Sequence, residues 1–284
     1  MQLSKLLFIL CLGVSLQAQG QLKYLRLSPT QKIEQRIGAT GIKLEFSRPQ
    51  MKGRKIFGAL VPYGKMWRTG ANENTKITFG YKVKIGKTEV KAGTYALFTK
   101  PQKDKWGIYL YTDTNNLDVP NPLDSIKLIY LTSVTPKKLG YNEETLTINF
   151  YDITETTANL GVSWENTRVD IPIEFYTHEA MEAAIQKEFQ QNIFDYSIAA
   201  SYYAERGIEL KKAKQLQELS IALRDKPSAW AYHSYGVILK KLGEKEKALE
   251  AIEHSLKLAK ASKNEYLITE NTKLLKQLKQ SDDN

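Results

Sequence analysis

The sequence is nearly devoid of cysteine and poor in histidine, with one Cys and three His among 284 residues. The single Cys11 lies inside an apolar stretch, Leu6 to Leu16, that follows Lys5 and ends at Ala18-Gln19-Gly20. A positive residue, a short apolar run and small residues at its end read as a secretory signal peptide. Residues 1–20 are therefore assigned to a signal peptide, with cleavage expected near residues 18–20 and a periplasmic or secreted product. The mature chain then has no cysteine, which excludes disulfides, thiol catalysis and zinc-thiolate sites. A lipid anchor would need its cysteine at the end of the apolar stretch, whereas Cys11 sits in the middle. Long hydrophobic runs are missing too: the leader falls short of the roughly 20 residues of a membrane-spanning helix and no other segment approaches that length, so no membrane span is expected. Finally, there is no G-x-S-x-G elbow, P-loop, H-E-x-x-H or strand-associated G-x-G-x-x-G. His178, His233 and His254 fall in the second half without metal-ligand spacing. No metal or cofactor is expected, and the chain reads as a non-enzyme more readily than as an enzyme.

What is present is globular: 42% hydrophobic and 25% charged residues in a length that suits one large or two ordinary domains. The formal charge of +10 is unevenly shared: residues 21–177 carry 23 Lys+Arg against 15 Asp+Glu, and residues 178–284 carry 17 against 16. A basic exported domain suits anionic glycans, lipid headgroups or nucleic acid. Because the lysines are scattered along strand-like segments rather than gathered in one run, nucleic acid is not an expected partner.

From Lys32 to Phe175, short runs of alternating, β-branched and aromatic residues are separated by turn-prone clusters, which is strand periodicity. Nine strands are predicted: 42–46, 75–79, 81–85, 94–99, 106–112, 126–132, 145–151, 157–164 and 167–175. Ile85-Gly86-Lys87-Thr88, Lys91-Ala92-Gly93 and Glu165-Asn166 are predicted hairpin turns. The expected fold is α+β multidomain: an antiparallel β-sandwich or jelly-roll-like domain over residues 21–177, then an α-helical tetratricopeptide-like hairpin domain over 178–284.

The helical assignment rests on the Ala, Glu, Lys and Leu composition after Tyr176, with Pro227-Ser228 punctuating two helix pairs. Tyr232-x-x-Tyr235-Gly236-x-x-Leu239, Gly243 and Ala248-x-x-x-Ile252 resemble the tetratricopeptide repeat, and a weaker copy lies about 35 residues earlier at Ser197, Ala200, Ser201, Ala204, Gly207 and Ala213. A capping helix is predicted from about Glu265 to Lys279. Tyr196, Tyr202, Tyr203, Tyr232 and Tyr235 read as core more than as the lining of a peptide groove. At least three repeats are normally needed for a free-standing solenoid, so two plus a cap are expected to lean on the β domain or on another subunit, and a protein partner of this half is among the expectations.

The segment Ser47 to Thr75 crowds glycine, arginine, aromatic and amide side chains between two strands. Long segments without periodicity are uncommon in compact domains and are enriched in function. Arg48, Arg54 and Arg68 offer planar donor forks for carboxylate, phosphate or sulfate, Trp67 a flat face for a sugar, Asn72 an orienting amide, and Glu73 the segment's one acid or base. These six are the candidate binding residues, for an anionic or carbohydrate ligand. The competing readings are a glycan hydrolase using Glu73, an interaction scaffold working through the helical repeats, and a purely structural segment whose arginines bond carboxylates and loop carbonyls while Trp67, Phe57, Leu60 and Tyr63 anchor it in the core. A hydrolase would need a second carboxylate, which spacing does not select among Asp104, Asp113, Asp118 and Asp124.

Ser47-Arg48-Pro49, Lys52-Gly53-Arg54, Phe57-Gly58, Leu60-Val61-Pro62-Tyr63-Gly64 and Trp67-Arg68-Thr69-Gly70-Ala71-Asn72-Glu73, followed by Ala92-Gly93-Thr94-Tyr95 and Trp106, resemble the family catalogued as domain of unknown function 2911. The resemblance covers about Ser28 to Phe175. It implies an exported protein of a kind found chiefly in Bacteroidetes and, since the family carries no assigned activity, no reaction.

Overall fold

A computed structural model describes residues 26–188 and 193–280; the predicted signal peptide lies outside the described residues. Ten strands form two antiparallel sheets. The larger sheet runs β1 (Thr30–Ile37), β2 (Thr40–Ser47), β3 (Lys76–Phe79), β6 (Gly93–Pro101), β7 (Trp106–Tyr111) and β8 (Leu128–Val134) in that order. The smaller runs β5 (Thr88–Val90), β4 (Val83–Ile85), β10 (Thr157–Phe175) and β9 (Lys137–Tyr151). Period-two patterning sets which side faces in: along β2, Ile42, Leu44 and Phe46 are buried while Lys43 is exposed. The inward faces of both sheets share one core with Trp106, Ile108, Val162, Trp164 and Ile171 among its members. A smaller cluster, Ala96, Phe98 and Tyr111, sits on the other side of the large sheet with Met66, Val119, Leu123 and Leu128 packed against it.

Four sequence expectations change. β1 was not predicted because T-Q-K-I-E-Q-R-I has only Ile33 and Ile37 as apolar residues, the composition of an edge strand. β5 was missed because it is three residues long. The predicted strands 157–164 and 167–175 are one, β10: Glu165, at φ 55°, stays paired with Glu143 instead of turning the chain, and the register slips on both sides of it are taken up by extra residues in β9. Lys91-Ala92-Gly93 is a corner carrying the chain from β5 in one sheet to β6 in the other, not a hairpin. The Ile85–Thr88 hairpin forms as expected.

Six helices follow: α1 (Thr177–Glu188), α2 (Ile193–Arg206), α3 (Leu210–Ala222), α4 (Ala229–Lys241), α5 (Lys245–Ala261) and α6 (Glu265–Gln280). They pack as two hairpins, α2 with α3 and α4 with α5, closed by α6. Gly207 at φ 67° and Gly243 at φ 77° end the first helix of each hairpin in the left-handed region that glycine reaches without strain. Gly236 lets α4 approach α5, since a Cβ there would lie 2.4 Å from Ile252 Cδ1. The Ser228 hydroxyl caps α4 by accepting from the Ala231 amide at 3.3 Å.

Polar staples join successive layers. Gln217, fully buried, donates to Ala231 O at 2.9 Å and accepts from the Ser197 hydroxyl at 3.2 Å. Buried Asn271 donates to Ser255 Oγ at 2.9 Å and bonds His233 Nδ1 at 2.7 Å. Tyr203, fully buried, donates to Glu182, and Lys212 donates to both at 2.7 and 3.1 Å, which ties α1 to α2 and α3. Of the tyrosines, Tyr202 and Tyr203 are core, and Tyr196, Tyr232 and Tyr235 are half-buried.

Candidate functional site

Between β2 and β3 the chain spends its donors on its own frame. Gln50 bridges Thr145, Met51 N donates to Glu144 O at 2.7 Å and Leu146 N to Pro49 O at 2.9 Å, so residues 49–51 cover an edge of β9. Arg48 reinforces this cover, donating from Nε to Leu146 O and from Nη2 to Thr147 Oγ1, both at 2.9 Å. Arg54 closes the next turn through Met51 O at 2.9 Å and Gln50 O at 2.6 Å. Each guanidinium thus serves carbonyls that strand pairing leaves open.

Trp67 is 9% exposed, with its backbone bridging Thr99 and its Nε1 donating to Gly70 O at 3.1 Å. Its indole packs among Phe57, Trp106 and Trp164 with ring centroids 6.0 to 6.4 Å away. Arg68 pairs with Asp118 at 2.7 Å, while its buried Nε has no partner among the described residues. Burial pushes the Asp118 carboxyl up, but the Arg68 and Val119 hydrogen bonds outweigh it and the net displacement is downward. Asn72, at φ 58°, donates to Ser28 O at 3.2 Å and Ser47 Oγ at 3.1 Å. Glu73 accepts both Arg26 amino groups, at 2.5 and 2.7 Å, and that bond holds its carboxyl below the usual range.

No two of the six candidates share a partner among the described residues. Leu60 and Tyr63, expected to anchor the segment, are exposed instead, while Phe57 is buried. Glu73 lines a cavity of about 420 Å³ with Arg26, Lys32, Lys76 and Glu45. Glu45 is the second carboxylate there, paired with Lys32 at 3.2 Å. Two carboxylates acting on a glycosidic bond need one that keeps its proton, and Arg26 shifts Glu73 the opposite way.

The larger concavity, about 680 Å³, lies elsewhere, where the helices meet the sandwich. Ser197, Ile198, Ser201 and Arg206 of α2, Trp230, Ala231 and Ser234 of α4, Met181 of α1 and Gly38, Ala39 and Glu155 of two sandwich turns line it. Arg206 fixes the wall, ion-paired with Glu155 and stacked 4.1 Å over the Tyr202 ring. Ile198 and Trp230 are 57% and 48% exposed, and Tyr266 of α6, 65% exposed, stacks on Trp230 at 5.9 Å. The first helix of each hairpin and the cap therefore contribute to one apolar strip. Sequence reasoning missed Trp230 and Tyr266; both lie in the first turn of their helices, ahead of the small residues that mark the repeat.

Residues 28–173 match a family described as "Protein of unknown function (DUF2911)", just over half of the chain. The chain belongs to that family. Neither a curated relative nor a solved structure matches it. The DUF2911 match takes in β1 to most of β10, so it contains the Arg48–Glu73 segment and the sandwich turns of the groove, and the helices lie beyond it. No helix of the described residues is long and apolar enough to cross a membrane.

Proposed function

We propose that this is an exported, non-catalytic binding protein that takes an extended, apolar peptide segment of a partner in the groove between the helices and the sandwich, with the Arg48–Glu73 segment as part of the frame. The observation that carries this reading is a concavity of about 680 Å³ lined by the exposed apolar side chains Ile198 and Trp230, with exposed Tyr266 stacked on Trp230 beside it. Concavities of this size are typical of ligand sites, stacked helix hairpins present such concave faces, and large exposed apolar side chains gathered in one place mark interaction surfaces.

The molecule carries its own reporter. Trp67, Trp106 and Trp164 are buried and Trp230 is half-exposed, so a ligand in the groove changes the emission of Trp230 above a steady background. Peptides selected from a displayed random library on the purified protein should be rich in apolar residues and shift that emission. Trp230→Ala and Ile198→Asp should each weaken them at least tenfold at unchanged melting temperature. Unchanged affinity in both variants, or a library that yields no binder, overturns the reading.

A further inference from the structure

We propose that the part of the sandwich where the β6–β7 turn, the β8–β9 turn and the loop around Tyr63 converge binds an anionic sugar unit, carboxylated or sulfated, of a polysaccharide. A cavity of about 230 Å³ opens there, lined by Lys103, Lys137 and Lys138 and by no carboxylate. Its aromatic lining comes from Phe57 and Trp106, both buried, and from exposed Tyr63, while Gln102, Asn166 and Thr167 supply amide and hydroxyl groups. Ammonium groups, the one accessible ring of Tyr63 and a few directional polar groups around a small concavity suit a charged sugar, with Phe57 and Trp106 as its packed floor.

The charge here is not an accident of ion pairing lost to solvent. Lys137 pairs with Asp170 at 3.0 Å, but Lys103 and Lys138 make no ion pair among the described residues. The nearest acids in sequence are committed or turned outward: the Glu165 carboxylate accepts from the Phe57 amide at 3.4 Å, and Asp104 sits exposed on the β6–β7 turn; neither lines the cavity. Bringing like charges together without a counter-ion is unfavourable, and a bound anion relieves it.

Extra residues in β9 give the end its shape. Between the pairs Ser163–Thr147 and Thr167–Lys138, β10 advances four positions and β9 nine, and pairing resumes at Thr167–Lys138, which lines the cavity together with Asn166. The same turns and loop also carry Lys55, Lys65 and Lys105, all exposed and without ion pairs among the described residues, so the positive surface continues past the cavity. The volume suits one sugar ring with its charged group, and the flanking lysines suit its neighbours in a polymer.

The test is titration calorimetry of the purified protein with four probes of matched length: a sulfated heparin oligosaccharide, an oligogalacturonate, a neutral dextran oligomer and a single-stranded oligonucleotide. At least one anionic saccharide should bind, and dextran should not. Lys103→Gln with Lys138→Gln should weaken binding at least tenfold at unchanged melting temperature. Lys87→Gln with Lys91→Gln, which removes the same charge from the two ends of β5, should change it by less than twofold. Absence of saccharide binding overturns the proposal. So does an equal loss in the control pair, or oligonucleotide binding as tight as that of the saccharides, either of which would reduce the effect to net charge.

Discussion

The indole of Trp67 lies nearly parallel to that of Trp164, with 6.0 Å between ring centroids and 18° between ring planes. One ring comes from the irregular segment and the other from β10 of the smaller sheet, so this stack is where the segment becomes part of the sandwich core. The same indole meets Phe57 and Trp106 edge-on. Trp67 is thereby used up as a flat recognition surface, whatever else the segment does.

Trp67→Ala should remove this junction. Truncating a buried large aromatic costs about 3–5 kcal/mol, and chemical denaturation of the variant should show a loss in that range. A loss below 1 kcal/mol would mean that the stack is dispensable.

Arg48→Ala should leave Leu146 O and Thr147 without their guanidinium donor. Unsatisfied buried groups cost about 1–3 kcal/mol each, and lysine cannot reproduce a planar fork, so Arg48→Lys should recover little of the loss. Full recovery by lysine in denaturation experiments would show that charge, not the two directed bonds, is what matters at this position.

Asp170 connects stability to pH. Burial pushes its carboxyl up, but hydrogen bonds from Lys137 and Arg168 outweigh that and hold it below the ordinary aspartate value. A depressed folded-state value contributes stability that is present above the unfolded value of about 4 and is lost as pH falls through the folded one. The acid limb of a stability-against-pH curve should therefore be shallower in Asp170→Asn than in the parent, with the difference between the two curves constant above about pH 5. Parallel curves down to pH 2 would contradict this.

Gly236→Val should wedge α4 away from α5. Ile252 Cδ1 and Cγ1 would lie 2.4 and 2.5 Å from the new Cβ, and Ile252 is fully buried. Overpacking of this kind costs about 1–3 kcal/mol. Trimming the neighbour in the same chain, with Ile252→Ala added, should restore part of the loss in thermal denaturation.

The two-sheet, helix-hairpin architecture was legible because its signals are periodic and local: alternation in β2, a Gly-Lys hairpin at 85–88, small residues at Ser201, Gly236 and Ala248, and Ser228 as a cap. The register break opposite Glu165 was not, because a residue at positive φ reads equally as a turn until β9 is seen to take up extra residues across from it. The Arg48–Glu73 segment stood out by composition, but composition cannot say where an arginine points. Its partners Leu146, Thr147, Asp118 and Arg26 are far away in sequence or in a different element. The groove was invisible for the same reason: Ile198, Trp230 and Tyr266 each look like an ordinary helix residue, and only the stacking of three helices makes them neighbours. Lys103 and Lys138 come together through two turns that no local pattern relates.

At the seam between the two halves, Gly38 sits so close to Thr177 that a Cβ would fall 2.5 Å from its side chain; the Thr177 hydroxyl donates to Glu155 O at 2.7 Å, and the Glu155 carboxylate holds Arg206. Both sandwich turns at this seam are walls of the groove. A helical tail of this type grafted onto a foreign sandwich would inherit half a groove, and a sandwich stripped of its helices would keep the other half. The module that descent or recombination must transmit intact is therefore the seam, two turns together with the helices α1, α2 and α4 that wall the groove, rather than either half alone.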